Sequence, residues 1–229
     1  MARAKGRESL GPAKQPRGQR RRVVHVYTEG SVTEPGYIEI VRSIGTYRDP
    51  SVPVEVRIAN QKAPASHRKP LGLVEEAARL MREETRRAKR SGLGKAYLPQ
   101  VWCMFDRDQH EGVDAALKTA EEAGVGVAFS HPCFEVWRVL HYKPVTGTFG
   151  KSCDMAAGRL PFAATTANIK VVEQGQLSGK PGEHRGFAEA KKRALKMNEV
   201  HGDHVPKSLR DPYTDVFSFV EDGLGIVAY

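Results

Sequence analysis

The stretch Val101–His110, VWCMFDRDQH, decides how the chain folds. Its first five residues are all apolar, and the run is too short for a buried helix. It reads as a strand covered on both faces, the signature of a parallel sheet between layers of helix. Asp106-Arg107-Asp108 follows without a spacer, so two carboxylates fall at the strand's carboxyl end. His110 to Gly124 then reads as a helix, with Val113, Ala116, Leu117 and Ala120 on one face and Gly124 as its stop.

The same alternation extends on both sides. Val23–Thr28 (VVHVYT) reads as a β-branched buried strand and leads through EGSVTEPG into a helix from Tyr37 to about Ile44. Val54–Ala59 alternates as a second strand, the polar 60–70 segment reads as a loop, and Leu71–Arg90 reads as an amphipathic helix. Val125–Phe129 is a fourth strand, and Phe134–His141 a short apolar helix. Strand and helix alternate through 23–141, which predicts an α/β core with a parallel sheet flanked by helices. Residues 142–229 read as a mostly helical extension. Its helices are expected at Lys151–Leu160, at Glu183–His201, and from Asp211 as N-cap with Pro212 at N1 to about Asp222. The segment 142–183, rich in Gly, Pro, Thr and Ser, has no readable pattern.

The chain has 229 residues, 40% of them apolar and 28% charged, enough for one domain with its own core. The net charge is +9, but residues 1–22 alone carry +7 and the remainder only +2. That segment is expected to be a disordered basic tail preceding one domain, 23–229. Arg20, Arg21 and Arg22 at its end are candidates for gripping nucleic-acid phosphates, or else part of a solubilising terminus. Arg86 and Arg87, in the basic cluster of the Leu71–Arg90 helix, carry the same two readings, as a nucleic-acid track or as an exposed face paired with nearby glutamates. The three cysteines have no Cys-x-x-Cys spacing, which argues against a disulfide framework or zinc finger and suits a reducing cytoplasm. No apolar run is long enough for a membrane span, and no P-loop is present.

In open α/β sheets, ligands bind beyond the carboxyl ends of the strands. Glu29 ends the first strand there, and Asp106 and Asp108 end VWCMF. Residues i and i+2 of an extended chain point the same way, so the two aspartates are expected to converge. Three carboxylates in one crevice repel one another unless a divalent cation joins them, and Mg²⁺, or Mn²⁺, suits an all-oxygen set. Such ions serve phosphoryl transfer.

YTEG with TEPGYI (Tyr27–Gly30, Thr33–Ile38), VWCMFDRDQH, SHPCFEVWRVLH (Ser130–His141) and DPYTDVFSFVEDGL (Asp211–Leu224) together resemble the RloB-like family, block by block and in order. Where the family's third block begins with Asn, this chain has His131. The resemblance implies a fold related to the Toprim domain, with Mg²⁺ held by Glu29, Asp106 and Asp108. It further implies a nuclease effector of bacterial anti-phage defence acting on RNA, transfer RNA among it, or on DNA, beside an ATPase partner of the AAA or ABC type. Glu135, an acid inside the apolar block PCFEVW, is expected either to join the catalytic site or to form a salt bridge with Arg138 or Arg107. Glu34 is expected to orient the turn before its helix. A non-catalytic subunit of an ATPase complex and a metal–nucleotide-dependent transferase are the competing functional readings. An oligomer is compatible with all three.

Overall fold

The computed structural model describes residues 20–162, 169–178 and 186–229. Four parallel strands form the body of one sheet: β1 (Arg22–Thr28), β3 (Val54–Ile58), β4 (Gln100–Asp106) and β5 (Gly126–His131). The spatial order is β3-β1-β4-β5-β6, where β6 (Tyr213–Thr214) pairs antiparallel with the end of β5. A two-stranded ribbon joins β2 (Thr46–Tyr47) to β7 (Ile226–Ala228).

The uninterrupted apolar run of β4 is explained by its two covered faces. Val101, Cys103 and Phe105 pack with Leu73, Val74 and Ala77 of α2 (Pro70–Arg90) and with Ala116 and Ala120 of α3 (Val113–Ala123). Trp102 and Met104 face the opposite layer. There they meet α1 (Thr33–Ile44), α4 (Glu135–Leu140), the short α5 (Cys153–Ala157) and α6 (Gln174–Leu177), and α7 (Phe187–Asn198). The expected α/β sandwich is therefore the observed one, with a C-terminal part that is mostly helical. That part is tied into the core, since it supplies β6 to the main sheet and β7 to the ribbon.

Chain direction across the sheet reverses at β1. The connection through α1 leads to β3 on one side, and the connection through α2 returns to β4 on the other. The crevice of such a sheet opens between the two strands where the order reverses, here β1 and β4. The register pairs Thr28 with Met104, and the Glu29 amide donates to the Met104 carbonyl at 3.0 Å, so Glu29 and Asp106 come out side by side.

Several expectations are corrected. Residues 1–19 of the basic tail lie outside the described residues, as do 183–185 of the expected Glu183–His201 helix. Arg22 belongs to β1 and not to the tail. α1 begins at Thr33, with Pro35 in its first turn, where no intrahelical N–H is needed. Only Cys153–Ala157 of the expected 151–160 helix is helical, started by the Ser152 hydroxyl accepting from the Met155 amide. Asp211 caps no helix. Its carboxylate accepts from Thr148 Oγ1, the Phe149 amide and the Lys151 amide, and after a cis peptide to Pro212 the chain enters β6.

Candidate metal centre

Glu29, Glu34, Asp106, Asp108 and Glu135 line one cleft of about 500 Å³ at the carboxyl edge of β1 and β4. Their local supports differ. Glu29 Oε2 accepts from the Asp106 amide at 3.0 Å, while Oε1 lies 2.6 Å from His110 Nε2. Glu34 is buried, and its Oε1 accepts from the Gly30 amide at 2.9 Å. A Cβ on residue 30 would stand 1.9 Å from Glu34 Oε2, so only glycine allows this closure. Glu34 thus orients the turn, as expected, and also brings a further carboxyl, from the first turn of α1, into the cleft.

The Asp-x-Asp segment is not extended. Arg107 N–H donates to the Ser130 carbonyl and Asp108 N–H to the Pro132 carbonyl, both from the end of β5. Asp108 has a φ of +32° and turns back into the cleft from a left-handed position, a conformation short polar residues tolerate. Asp106 reaches the cleft as the last residue of β4, and Asp108 by this turn, not by strand alternation. His131, between those two carbonyls, is fully buried. Burial lowers its pKa to about 4, and neither ring nitrogen has a hydrogen-bond partner among the described residues.

The electrostatics are those of crowded acids. Burial pushes the Glu34 carboxyl up to about 7, with Glu29 and Glu135 adding to the rise. Asp106 is held well above the usual range by burial first, then by Glu29, Glu34 and Glu135. Glu29 is raised by burial against the opposing pull of the Asp106 amide and His110. Glu135 lies 3.6 Å from Arg138, the partner expected for it, while Arg107 is occupied with the Ser208 and His110 carbonyls.

Two buried arginines brace the cleft, and Arg138 also pairs with Glu135. Arg68 donates to the carbonyls of Thr28, Gly30, Asn60, Gln61 and Ala63, pinning the ends of β1 and β3. Asn60 adds a pair of hydrogen bonds to the Thr28 backbone. Arg138, 1% exposed, donates to the carbonyls of Ile169 and Val171 and to Gln176 Oε1. It thereby holds the wall that carries Lys170, whose carbonyl also accepts from Thr33 Oγ1.

The donors are all oxygens, the set Mg²⁺ or Mn²⁺ takes, and mutual repulsion calls for a cation. Among the described residues, however, no three His, Cys, Asp or Glu side chains are gathered as a ready-made metal site. Both Glu29 oxygens are hydrogen-bonded, one to the Asp106 amide and one to His110 Nε2. The residues suit the ion in chemistry and charge.

The description RloB-like protein matches residues 24–222. The chain belongs to this family. No curated protein and no solved structure matches it. In this RloB-like chain, sequence reasoning missed Arg68, the carbonyl bonds of Arg138 beyond its expected pairing with Glu135, and the cleft-lining Cys153, Asp154 and Lys170. The last three lie in the segment that had no periodic pattern, and the arginines bond to carbonyls, which leave no complementary residue type to find.

The expected nucleic-acid residues lie elsewhere. Arg22 begins β1, the strand that ends before Glu29, so the two are separated by roughly 23 Å of strand. It donates to the Gly223 carbonyl. Arg21 pairs with Glu55, and Arg20 is exposed. Arg86 and Arg87 sit in the last turns of α2, whose first turn is the end nearer the cleft, and Arg87 pairs with Glu84. His141 is bound to the Trp137 carbonyl and Tyr229 hydroxyl in the core, and His201 to the Pro212 carbonyl, so neither reaches the cleft. No helix among the described residues is long and apolar enough to cross a membrane.

Proposed function

We propose that the chain is a metal-dependent nuclease that hydrolyses phosphodiesters of RNA or DNA at the Glu29–Asp106–Asp108 cleft, as the effector of an anti-phage defence system with an ATPase partner. The observation that carries this reading is the crowding of Glu29, Glu34, Asp106, Asp108 and Glu135 at the sheet's switch point, with carboxyls raised by burial and by one another. When bound, Mg²⁺ or Mn²⁺ supplies Lewis-acid stabilisation of a phosphoryl oxygen and a water of lowered pKa. Glu29, Asp106 and Asp108 would hold the ion, with Glu34 fixing the β1–α1 turn beneath it. Glu135, steered by Arg138, faces the same cleft as a further acid. His110 Nε2, 2.6 Å from Glu29 Oε1, is placed to hold or release a proton at that atom.

The test is cleavage of labelled transfer RNA, other RNA and DNA by purified protein with Mg²⁺, Mn²⁺ or EDTA, alone and with the proposed ATPase partner. Cutting that needs metal and is lost in Asp106→Asn supports the reading. A variant that folds and cuts as well as the wild type sinks it. The non-catalytic alternative rests on the engaged state of Glu29, and it gains if the defence phenotype survives loss of all three acids.

A further inference from the structure

A second concavity of about 560 Å³ lies between the 144–148 segment, the outer face of α7 and Pro212. Its walls are mostly apolar, with Val145, Met197, Val200 and Pro212 among them. One rim carries Lys192 and Lys196, one helical turn apart and both exposed. Their neighbours Lys191 and Arg193 are paired with Glu221 and Glu189, whereas Lys192 and Lys196 have no acid partner among the described residues. Two like charges at i,i+4 repel. The acids that line the same pocket are engaged elsewhere, Glu189 with Arg193 and Asp211 with Thr148 and the Phe149 and Lys151 amides.

The pocket is joined to the carboxylate cleft. The loop that supplies Val145 to the pocket supplies Cys153 and Asp154 to the cleft. Asp211 locks it between these points through Thr148, Phe149 and Lys151. Eight residues separate Val145 from Cys153, so the two sites are at most about 28 Å apart along the chain. A cavity with apolar walls and two exposed lysines on its rim fits a ligand with an apolar body, such as a base, and an anionic attachment.

We infer that the Val145–Pro212 pocket binds one nucleotide unit, its base between the apolar walls and its phosphate on Lys192 and Lys196. This deepens the nuclease reading and rests on it for the polymer that spans pocket and cleft. A free mononucleotide has the same chemistry, and the experiment separates the two sources.

Binding of a short labelled single-stranded RNA is measured by fluorescence anisotropy in EDTA, on the full chain. The probes are the intact strand and the same strand with abasic positions. The proteins are the wild type, Lys192→Gln/Lys196→Gln, and Val145→Trp, which fills the cavity. The double lysine variant is expected to weaken binding about tenfold and to lower the salt slope by about two. Val145→Trp and the abasic strand are each expected to weaken it, and not additively, because both remove the same contact. Equal affinity for intact and abasic strands overturns the proposal, whether or not Val145→Trp folds. Displacement of the strand by adenosine monophosphate assigns the pocket to free nucleotide, and failure to displace assigns it to the polymer. Base-dependent binding without cutting under any metal sinks the nuclease reading alone. Metal-dependent cutting with base-independent binding sinks this inference alone.

Discussion

The two edges of the central sheet carry opposite charge for different physical reasons. The carboxyl edge gathers five acids whose repulsion is mostly unanswered within the described fold. At the amino edge, Arg22 starts β1, and Arg86, Arg87, Lys89 and Arg90 end α2, where cations are favoured by the helix dipole and sit in water. The basic edge is solvated, whereas the acids of the carboxyl edge are raised in pKa by burial and by one another. Composition weighs both edges alike, and only burial distinguishes them.

The largest expected effect breaks the acidic edge directly. Asp106→Asn should lower metal-dependent cleavage by at least roughly 100-fold, more than loss of a supporting residue costs. Its melting temperature in EDTA should rise, because a neutral isostere removes the repulsion of Glu29, Glu34 and Glu135. A fall in melting temperature would show that the charged Asp106 supports the fold.

Next is the brace. Arg68→Ala should cost about 3 kcal/mol in chemical denaturation, since it strips hydrogen bonds from buried carbonyls at the ends of β1 and β3. Arg68→Lys, which keeps the charge but not the fork, should recover only part of that. Full recovery by lysine would mean that charge, not geometry, holds the Glu29–Gly30 turn.

The pH dependence sharpens the contrast. Glu34, Asp106 and Glu29 all have pKa values raised on folding, so the folded state prefers them protonated. Their contribution favours folding below the ordinary carboxylate range and is lost as pH rises through about 7, the value for Glu34. Metal-free protein should therefore melt lower at alkaline than at mildly acidic pH, by a few kcal/mol of stability. Mn²⁺ should restore the alkaline value, and Glu34→Gln should flatten the slope. A slope that Glu34→Gln leaves unchanged would assign it to other groups.

The smallest effect belongs to the basic edge. Arg86→Gln/Arg87→Gln should leave turnover within about twofold and cost about 1 kcal/mol of stability, because Arg87 is exposed while its partner Glu84 is buried and keeps a hydrogen-bond donor in the glutamine amide. A large loss of turnover would place the substrate across both edges.

These contrasts were unequally legible in the sequence. The β4 run and the strand-end acids could be read because burial on two faces and a position just past a strand both leave local patterns. Asp108 was expected in the right cleft for an incomplete reason, since the turn that aims it is set by carbonyls of Ser130 and Pro132, remote in sequence. Asp211-Pro212 resembled a helix start because its local chemistry is that of a cap. The tertiary contacts with Thr148, Phe149 and Lys151 outweigh that signal. The 169–178 wall left no periodicity because it is held by Arg138, the Thr33–Lys170 hydrogen bond and the scattered apolar residues Val172 and Leu177 instead of an apolar stripe.

That sparse attachment has a kinetic consequence. Ile169, Val171 and Gln176 meet the body of the fold through the guanidinium of Arg138, beside the Thr33–Lys170 hydrogen bond and the buried Val172 and Leu177. A segment with few fastenings opens by local unfolding below the global free energy. Amides there should exchange with deuterium well before those of β1 and β4. Small concentrations of free guanidinium, a chemical mimic of the fastener, should accelerate that exchange while the sheet is still intact.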